Sequence, residues 1–401
     1  MDKEKQIQEV LNRGVENIYP SRQELEKILR SGKKLKLYCG YDPTATRLHI
    51  GNAITLRKLA QFQKLGHKVI MLIGDFTGMI GDPTDKTEAR KKMTRDQVLK
   101  NSENYQSQAA KILDFKGNNP AKILYNSNWN DKLTFIGLIE LASNFTVGQM
   151  LVRDMFQERI KKDKPIYLHE FLYPLAQAYD SVAMNVDLEV GGNDQTFNML
   201  CGRDLIKAVK DKEKFVLTLK LLVDPAGKKM GKSEGNVVWL DDEPNEMFGK
   251  VMSWPDEAIA PAMELATDIS TEEIEETEKK IKEGKLNPRD AKARLARELV
   301  KIHHGAKQAD QAEKEFNRVF KEKDKPTEMP VYQSKKEKMK LVDLLIKTKP
   351  SPSKSEARRL IEQGGVKIDD EVVKDWQKEI ELKDGMVIQA GRRKFLQIKL
   401  Q

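Results

Sequence analysis

Two short polar segments, about 180 residues apart, contain residue types that bind and polarise phosphate groups. The first, His49-Ile-Gly-Asn52, directly precedes a helix predicted from Ala53 to Leu65. Free backbone N–H groups and the helix dipole favour anions there, and Gly51 leaves room for a nucleotide to approach the backbone. The second is Lys229-Met-Gly-Lys-Ser233, whose lysines are suited to gather around a polyphosphate as its charge grows. The first segment alone is equally compatible with a capping loop, and a segment like the second is by itself usually a solvated turn. The nucleotide-binding hypothesis therefore depends on the pair.

A third polar group has the spacing of one helix face. Tyr173, Gln177 and Asp180 stand at i, i+4 and i+7, and together they offer the hydroxyl, amide and carboxylate that an ammonium and a phenol need. Pro174 must lie in the first turn of this helix or kink it. A solvated face is the simpler interpretation of such a triplet, but the segment is crowded with apolar residues. These neighbours are Phe171, Leu172, Leu175 and Ala176.

The elements that must position these residues alternate between strand and helix. Leu35 to Cys39 alternates in polarity, and Val69 to Ile73 is a continuous apolar run typical of a central strand covered on both faces. With the helix Ala53 to Leu65 between them, which Gly66 is suited to end, they predict a right-handed crossover in a doubly wound parallel sheet. Ligands bind at the carboxyl ends of such strands, where the His49 segment lies. Further predicted strands are Ala121 to Tyr125, Asp187 to Val190 and Phe215 to Val223.

Changes of composition along the chain predict several domains. Residues 1–235 are predicted to form the catalytic domain, and 236–322, with charged helix-prone stretches such as 272–282, a helical domain. A lysine-rich segment with two prolines, 323–338, is interpreted as a linker. Residues 339–401 return to mixed helices and short strands and form a predicted C-terminal domain.

Composition narrows the class of protein. The 401 residues are 39% hydrophobic and 33% charged, and their formal net charge of +9 suits a polyanionic partner. Two isolated cysteines, Cys39 and Cys201, make a disulfide framework or zinc site unexpected and fit a reducing compartment. The polar start resembles no signal peptide, and no apolar run approaches the roughly 20 residues that span a bilayer. We therefore expect a cytoplasmic protein without a membrane partner.

The paired segments carry a family resemblance. His49-Ile-Gly-Asn52 and Lys229-Met-Gly-Lys-Ser233 resemble the HIGH and KMSKS signatures of class I aminoacyl-tRNA synthetases, with Asn and Gly as departures from the consensus letters. Gly81-Asp-Pro-Thr84 and the helix Tyr173 to Asp180 are similar to segments of the bacterial-type tyrosyl-tRNA synthetases. The resemblance covers nearly the whole chain and implies a Rossmann-like α/β catalytic domain followed by a helical domain and a small α+β RNA-binding domain.

The resemblance also implies roles for individual residues. Tyr38 and Asp180 would contact the hydroxyl of a tyrosine substrate. Its ammonium would meet Asp82, Tyr173 and Gln177, and its carboxylate region Gln195, with Asn126 as a further pocket member. ATP would be bound by Cys39, Gly40, Asp42, His49, Gly51, Asn52, Gly192, Asp194, Lys229 and Lys232. Residues meeting the phosphates in the transition state would be Thr44, His49, Lys86, Arg90, Lys229 and Lys232.

These roles imply a tyrosine–tRNA ligase. Tyrosine's carboxylate would attack the α-phosphate of ATP, giving tyrosyl-adenylate and pyrophosphate, and the terminal ribose of tRNA(Tyr) would then accept the amino acid. Mg²⁺ is expected with the ATP phosphates, without a tightly bound metal held by the protein. A basic helix face of Lys354, Arg358 and Arg359 resembles the RNA-binding module of bacterial tyrosyl enzymes. Homodimerisation through Phe145 to Tyr167 is also implied.

Three other functions remain open at this point. A tryptophanyl enzyme shares the fold and both signatures, but Tyr38 with Asp180 fits a phenol better than an indole N–H, and such enzymes normally lack the C-terminal RNA module. A non-catalytic RNA-binding protein on the same scaffold would not need His49 and Lys229. Another nucleotidylyltransferase of this superfold would not need two RNA-binding additions.

Overall fold

The computed structural model describes residues 2–84, 92–225, 227, 229–230, 237–321, 329–334, 338–348, 353–391 and 394–400. The chain divides into two compact units, residues 1–306 and 307–401. The predicted boundaries at 235 and 322 lie outside the described residues, and the division into four segments stays a prediction.

The first unit is built around a mainly parallel sheet. Its strands, within the described residues, are β1 (Val15–Tyr19), β2 (Lys36–Tyr41), β3 (Lys68–Ile73), β4 (Lys122–Tyr125), β5 (Leu188–Gly192) and β6 (Phe215–Leu219). Their order is β1-β6-β5-β2-β3-β4, and every neighbouring pair is parallel except β1 with β6. The predicted doubly wound sheet is confirmed, although the last predicted strand ends at Leu219 rather than at Val223.

The helices of this unit cover the sheet and extend beyond it. They are α1 (Lys3–Asn12), α2 (Arg22–Arg30), α3 (Ile50–Lys64), α4 (Thr77–Ile80), α5 (Arg95–Ser102), α6 (Tyr105–Ala109), α7 (Ser127–Asn130), α8 (Phe135–Ala142), α9 (Val147–Leu151), α10 (Asp154–Lys161), α11 (Leu168–Met184), α12 (Thr196–Lys210), α13 (Pro244–Met252), α14 (Ile259–Ala266), α15 (Thr271–Lys282) and α16 (Pro288–His304). In the part of the chain that the structure describes, none combines the length and apolar character needed to cross a membrane.

The β2–α3–β3 unit follows from local sequence. Val69 to Ile73 are all buried, as expected for a strand with neighbours on both sides. Helix α3 begins with His49 as its N-cap, and the chain leaves it through Gly66, whose φ of 82° suits glycine. The crossover therefore brings the His49 segment to the carboxyl edge of the sheet.

Helix α11 carries the polar triplet. Tyr173 and Asp180 are buried, and Gln177 is partly buried, so the solvated-face interpretation is wrong. Pro174 lies in the helix interior, buried, and not in the first turn. The remaining face of α11 packs on α12, with Ala178 and Val182 in a core shared with Leu205 and Ile206.

The second unit is a small mixed domain after a long helix. Its helices are α17 (Ala306–Lys321), α18 (Leu341–Lys347) and α19 (Lys354–Glu362), and its strands are β7 (Val331–Ser334), β8 (Lys338–Lys340), β9 (Val366–Ile368), β10 (Glu371–Val372), β11 (Glu379–Glu381), β12 (Val387–Ala390) and β13 (Lys394–Leu400). Strand β7 pairs in parallel with β13. Five residues of the segment interpreted as a linker therefore lie in strands, four in β7 and Lys338 in β8. Val331 and Tyr332 supply a strand-forming pattern that the neighbouring lysines obscure.

Candidate active site

Asp180 is the centre of the first part of the site. Its buried carboxylate accepts hydrogen bonds from Trp129 Nε1 at 2.7 Å, Asn130 Nδ2 at 3.2 Å and Asn126 Nδ2 at 3.2 Å. The three donors come from the turn after β4 and from α7, so the end of one strand orients a side chain of α11. Burial raises the pKa of Asp180 to about 8, and the nearby Glu189 charge adds to the rise, whereas the three hydrogen bonds oppose it.

Tyr38 lies on β2 opposite this group and is completely buried. Its ring packs with Ile70, Leu72 and Met184, and its hydroxyl is 3.0 Å from Ser181 Oγ. Burial, followed by the charges of Glu189 and Asp180, raises the pKa of Tyr38 well above its ordinary value. Tyr38 and Asp180, the two side chains predicted to contact a phenol, therefore interact electrostatically. The Tyr38 hydroxyl stays protonated.

Asp42 joins this part of the site to the end of β2. Thr77 Oγ1 donates to one carboxylate oxygen at 2.6 Å, and the Tyr173 hydroxyl donates to the other at 2.8 Å. Asn126 continues the network through a 3.0 Å bond to Thr77. A Cβ at Gly74 would lie 2.0 Å from an Asp42 oxygen, so this network requires glycine at position 74.

Asp82 is held in a fixed orientation from three sides. Thr84 donates to its Oδ1 through the backbone N–H at 2.9 Å and the hydroxyl at 2.6 Å. Gln195 Nε2 donates to Oδ2 at 2.8 Å. The guanidinium of Arg153, buried between the rings of Phe156 and Phe197, donates to Thr84 at 2.6 Å and lies 3.8 Å from Asp82. These donors consequently hold the Asp82 carboxylate in one orientation.

Gln195 connects Asp82 to Asp194. Its Nε2 lies 3.5 Å from Asp194 Oδ2, and the same oxygen accepts a hydrogen bond from Lys229 Nζ at 2.6 Å in an ion pair. A Cβ at Gly192 would lie 2.4 Å from Asp194 Oδ1, so glycine is needed where β5 ends. The two segments predicted to meet ATP, 191–195 and 229–233, are therefore in contact through their described residues.

The His49 segment is also fixed by tertiary contacts. His49 Nδ1 accepts from Gly51 N at 3.1 Å, and Asn52 Oδ1 accepts from His49 N at 2.9 Å, which forms a capping box. A Cβ at Gly51 would lie 2.9 Å from the His49 ring, so glycine at 51 also protects this cap. Trp239 pairs with His49 across an isolated β-bridge, with ring centroids 6.2 Å apart. The chain after the lysine-rich motif therefore returns to the start of α3.

The remaining predicted positions differ in what they present. Gly40 is exposed with open space where a side chain would be, whereas Cys39 is buried and its thiol pKa is raised to about 12 by burial. Thr44 lies in the loop after β2, half-buried. Lys86, Arg90 and Lys232 lie outside the described residues. Among those described, no group of three or more His, Cys, Asp or Glu is arranged to hold a metal ion.

The predicted RNA-binding face is exposed on α19. Lys354, Arg358 and Arg359 are exposed, whereas Ala357 and Ile361 are buried in the domain core. Arg358 lies over the Trp376 ring at 4.6 Å and pairs with Glu362 at 2.7 Å, and Lys354 pairs with Asp343 at 2.9 Å.

Sequence reasoning missed several side chains that hold the site together. They are Thr77, Trp129, Asn130, Arg153, Ser181, Glu189 and Lys214. Glu189 had a usable signal, since it is a lone carboxylate inside a buried strand. The others come from separate elements, and only the folded chain brings them together.

Known proteins resemble this chain over nearly its whole length. A model of the class I tRNA synthetases for tryptophan and tyrosine matches residues 30–321, and a model of the C-terminal domain of tyrosine–tRNA ligases matches residues 321–398. A tyrosine–tRNA ligase of Thermotoga maritima is 46% identical over 99% of this chain and 98% of its own length. One from Moorella thermoacetica is 45% identical over 97% and 94%.

Solved structures support the fold. A C-terminally truncated mitochondrial tyrosyl-tRNA synthetase of Aspergillus nidulans superposes with a TM-score of 0.67 at 23% identity, covering 79% of this chain and 94% of its own. A tyrosyl-tRNA synthetase of Archaeoglobus fulgidus, crystallised with L-tyrosine, gives a TM-score of 0.60 at 20% identity, covering 78% and 100%. At these identities the likeness concerns the fold alone.

The mainly parallel sheet and the family model that matches residues 30–321 together identify a class I aminoacyl-tRNA synthetase. The tryptophanyl and tyrosyl enzymes share that fold, so the full-length relatives decide between them. The chain belongs to the tyrosine–tRNA ligases, which confirms the predicted family.

Proposed function

We propose that this protein activates L-tyrosine with ATP and then esterifies it to the 3′ end of tRNA(Tyr). The observation that carries the proposal is the joining of two groups at one sheet edge. The Asp180–Asn126–Thr77–Asp42 network lines an amino-acid pocket, and the Asp194–Lys229 pair lies on the nucleotide side. Both belong to a chain whose full-length relatives are tyrosine–tRNA ligases.

The substrate's two ends are recognised by different groups. Asp180 and Tyr38 both hydrogen-bond to the phenol hydroxyl, and Tyr38 donates to the phenol oxygen. At the other end, Asp82, Tyr173 and Gln177 accept from the ammonium, with Asn126 supporting the pocket and Gln195 near the carboxylate. The preset orientation of Asp82 by Thr84, Gln195 and Arg153 supports this assignment, because a fixed acceptor loses little entropy on binding.

Activation is a displacement at the α-phosphate. A tyrosine carboxylate oxygen forms the new P–O bond, and the bond to the bridging oxygen breaks, so that pyrophosphate leaves with the electron pair. Thr44, His49 and Lys229 stabilise the charge that grows on the leaving phosphates, together with Lys86, Arg90 and Lys232. Residues proposed to hold adenosine and ribose are Cys39, Gly40, Asp42, Gly51, Asn52, Gly192 and Asp194. The exposed backbone at Gly40 and the ion pair at Asp194 support these roles.

Mg²⁺ accompanies the ATP phosphates in this proposal. The carboxylates near the nucleotide side, Asp42 and Asp194, are each engaged by protein donors. A metal ion entering with ATP would therefore take most of its ligands from phosphate oxygens and water. The site of reaction is cytoplasmic, where tRNA is charged for translation.

The tRNA contacts the basic face of α19. Exposed cations at Lys354, Arg358 and Arg359 suit phosphate binding, while Ala357 anchors the helix.

Replacing Arg359 with Gln weakens tRNA binding and lowers the slope of log affinity against log salt concentration by about 1. Tyrosine-dependent pyrophosphate exchange stays at the wild-type rate. An unchanged salt slope would contradict the assignment.

A second copy of the chain covers the apolar surface on α8 to α11. Phe135, Val147 and Leu168 are 79%, 69% and 76% exposed, which is unusual for large apolar side chains. Phe135 also lines an apolar cleft of about 260 Å³, together with residues that include Leu138 and Leu172. The patch extends the predicted interface, 145–167, in both directions.

The oligomeric state tests that surface directly. Val147→Asp places a charge in the patch and converts the dimer to monomer in sedimentation velocity, because an unpaired charge in an apolar interface costs its desolvation. Val209→Asp is the matched control, since Val209 is 52% exposed on α12, outside the patch. A Val147→Asp protein that stays dimeric would refute the interface.

The activity itself is tested by exchange of pyrophosphate into ATP. Tyrosine supports the exchange, and His49→Ala slows it with little change in tyrosine affinity. Exchange that is driven by tryptophan, or that needs no amino acid, would refute the proposed substrate. A large loss of tyrosine binding in His49→Ala would refute the role of that histidine.

A further inference from the structure

A buried ion pair lies directly behind the amino-acid pocket. Glu189 in β5 and Lys214, immediately before β6, are salt-bridged, and both side chains are almost completely inaccessible. Their strands are parallel neighbours. Removing two charges from water costs solvation energy, and well-packed apolar replacements often match the stability of such a pair. Stability alone therefore does not account for it.

The lysine end of the pair reaches the phenol side. Lys214 Nζ donates to Ser181 Oγ at 2.8 Å, and that oxygen is 3.0 Å from the Tyr38 hydroxyl. An ammonium only donates, so it occupies one acceptor position of Ser181 and strengthens the serine O–H as a donor. This favours a chain in which Ser181 donates to Tyr38. The hydroxyl hydrogen of Tyr38 is then not used by Ser181 and can be donated to a substrate oxygen.

The glutamate end of the pair reaches the ammonium side. Glu189 Oε1 accepts from Gln177 Nε2 at 3.1 Å. An ionised carboxylate only accepts, so the NH₂ group of Gln177 must face Glu189. The amide oxygen of Gln177 is consequently the atom presented to the pocket, and it is an acceptor suited to an ammonium.

We propose that Glu189 and Lys214 are positioning residues that set the hydrogen-bonding polarity of the pocket at both ends of the substrate. One buried pair makes position 38 a donor and position 177 an acceptor, which is the polarity that tyrosine requires. The inference rests on the proposed function and assigns tyrosine selectivity to two residues that do not touch the substrate.

The test uses variants that keep the interior neutral. Glu189→Gln with Lys214→Met removes both charges together, so no unpaired ion remains buried. Ser181→Ala interrupts only the phenol side. Tyrosine- and phenylalanine-dependent pyrophosphate exchange are measured for each, with thermal unfolding as the check on folding. The control is Asp187→Asn with Lys212→Met, which removes a neighbouring ion pair of 2.9 Å between the segments that lead into the same two strands.

The expected pattern differs between the two substrates. In the charge-neutral double variant, kcat/KM for tyrosine falls about tenfold or more, and the tyrosine-to-phenylalanine ratio falls about tenfold. In Ser181→Ala the ratio also falls, and kcat/KM for phenylalanine stays within about twofold, because phenylalanine has no hydroxyl to lose a partner. The control variant keeps the wild-type ratio.

Different results would overturn different claims. A folded double variant with the wild-type ratio would overturn the positioning role, as would an equal loss for both amino acids in Ser181→Ala. Absence of tyrosine-dependent exchange in the unaltered protein would instead overturn the proposed function.

Discussion

Tyr38→Phe isolates a single hydroxyl in the amino-acid pocket. The ring is buried among Ile70, Leu72 and Met184, and phenylalanine preserves those contacts. Only the oxygen that faces Ser181 and the proposed phenol-binding position is lost. The substitution therefore tests substrate recognition with little change in packing.

The magnitude follows from the partners that remain. Ser181 Oγ keeps its bond from Lys214, and the acceptor that the serine O–H loses is missing in the free and the substrate-bound enzyme alike. The loss is then one neutral hydrogen bond to the substrate, worth about 0.5–1.5 kcal/mol net. That corresponds to a fall in kcat/KM for tyrosine of about 2- to 12-fold. Phenylalanine, which lacks the hydroxyl, loses nothing.

The assay is amino-acid-dependent pyrophosphate exchange with tyrosine and with phenylalanine. Tyr41→Phe is the matched control, because Tyr41 is a buried tyrosine of the same strand whose hydroxyl pairs with Thr55 at 2.9 Å. It should leave the tyrosine-to-phenylalanine ratio unchanged. Equal losses for both substrates in Tyr38→Phe, or the same change of ratio in Tyr41→Phe, would refute the reasoning.

Three further predictions concern the nucleotide side and pH. His49→Asn keeps a side chain that caps α3, so it should retain about 1 kcal/mol more stability than His49→Ala, while both slow adenylate formation; equal unfolding midpoints would contradict the capping role. Lys229→Met should lower the rate of adenylate formation more than tyrosine affinity, since it removes a cation from the phosphates; single-turnover kinetics with a tyrosine titration separate the two. Because burial raises the pKa of Asp180 from 3.8 to about 8, the folded state holds one more proton between these values, so the free energy of unfolding falls as pH rises from about 4 to 8. In urea unfolding, the free energy of unfolding of Asp180→Asn should depend less steeply on pH than that of the unaltered protein. An equal slope against pH in the two proteins would contradict the raised pKa.

Much of the scaffold could be predicted from local patterns. The same crossover is indicated by the apolar run at 69–73, by the helix that follows His49 and by Gly66 at the end of that helix. Burial on two faces and helix capping each have a recognisable sequence pattern. Fold class and family are confirmed on that basis. The linker prediction for 323–338 missed β7, because this strand is stabilised by pairing with a strand more than 60 residues later, which local sequence does not indicate.

The proposed site residues were predicted by resemblance, but their supporting partners were not. Trp129 and Asn130 orient Asp180 from an element 50 residues away in the chain. Arg153 reaches Thr84 from the start of α10. No periodicity or spacing reports such contacts, because hydrogen bonds between distant elements depend on how those elements pack.

The sequence by itself determined the alternation of strands and helices around His49, the two segments proposed to bind phosphate and the family, because these depend on contiguous residue types. Only the tertiary structure decided which way the pocket's polar groups point. The direction of a hydrogen bond depends on every partner of each atom, and the decisive partners, Glu189 and Lys214, meet only when β5 and β6 lie side by side.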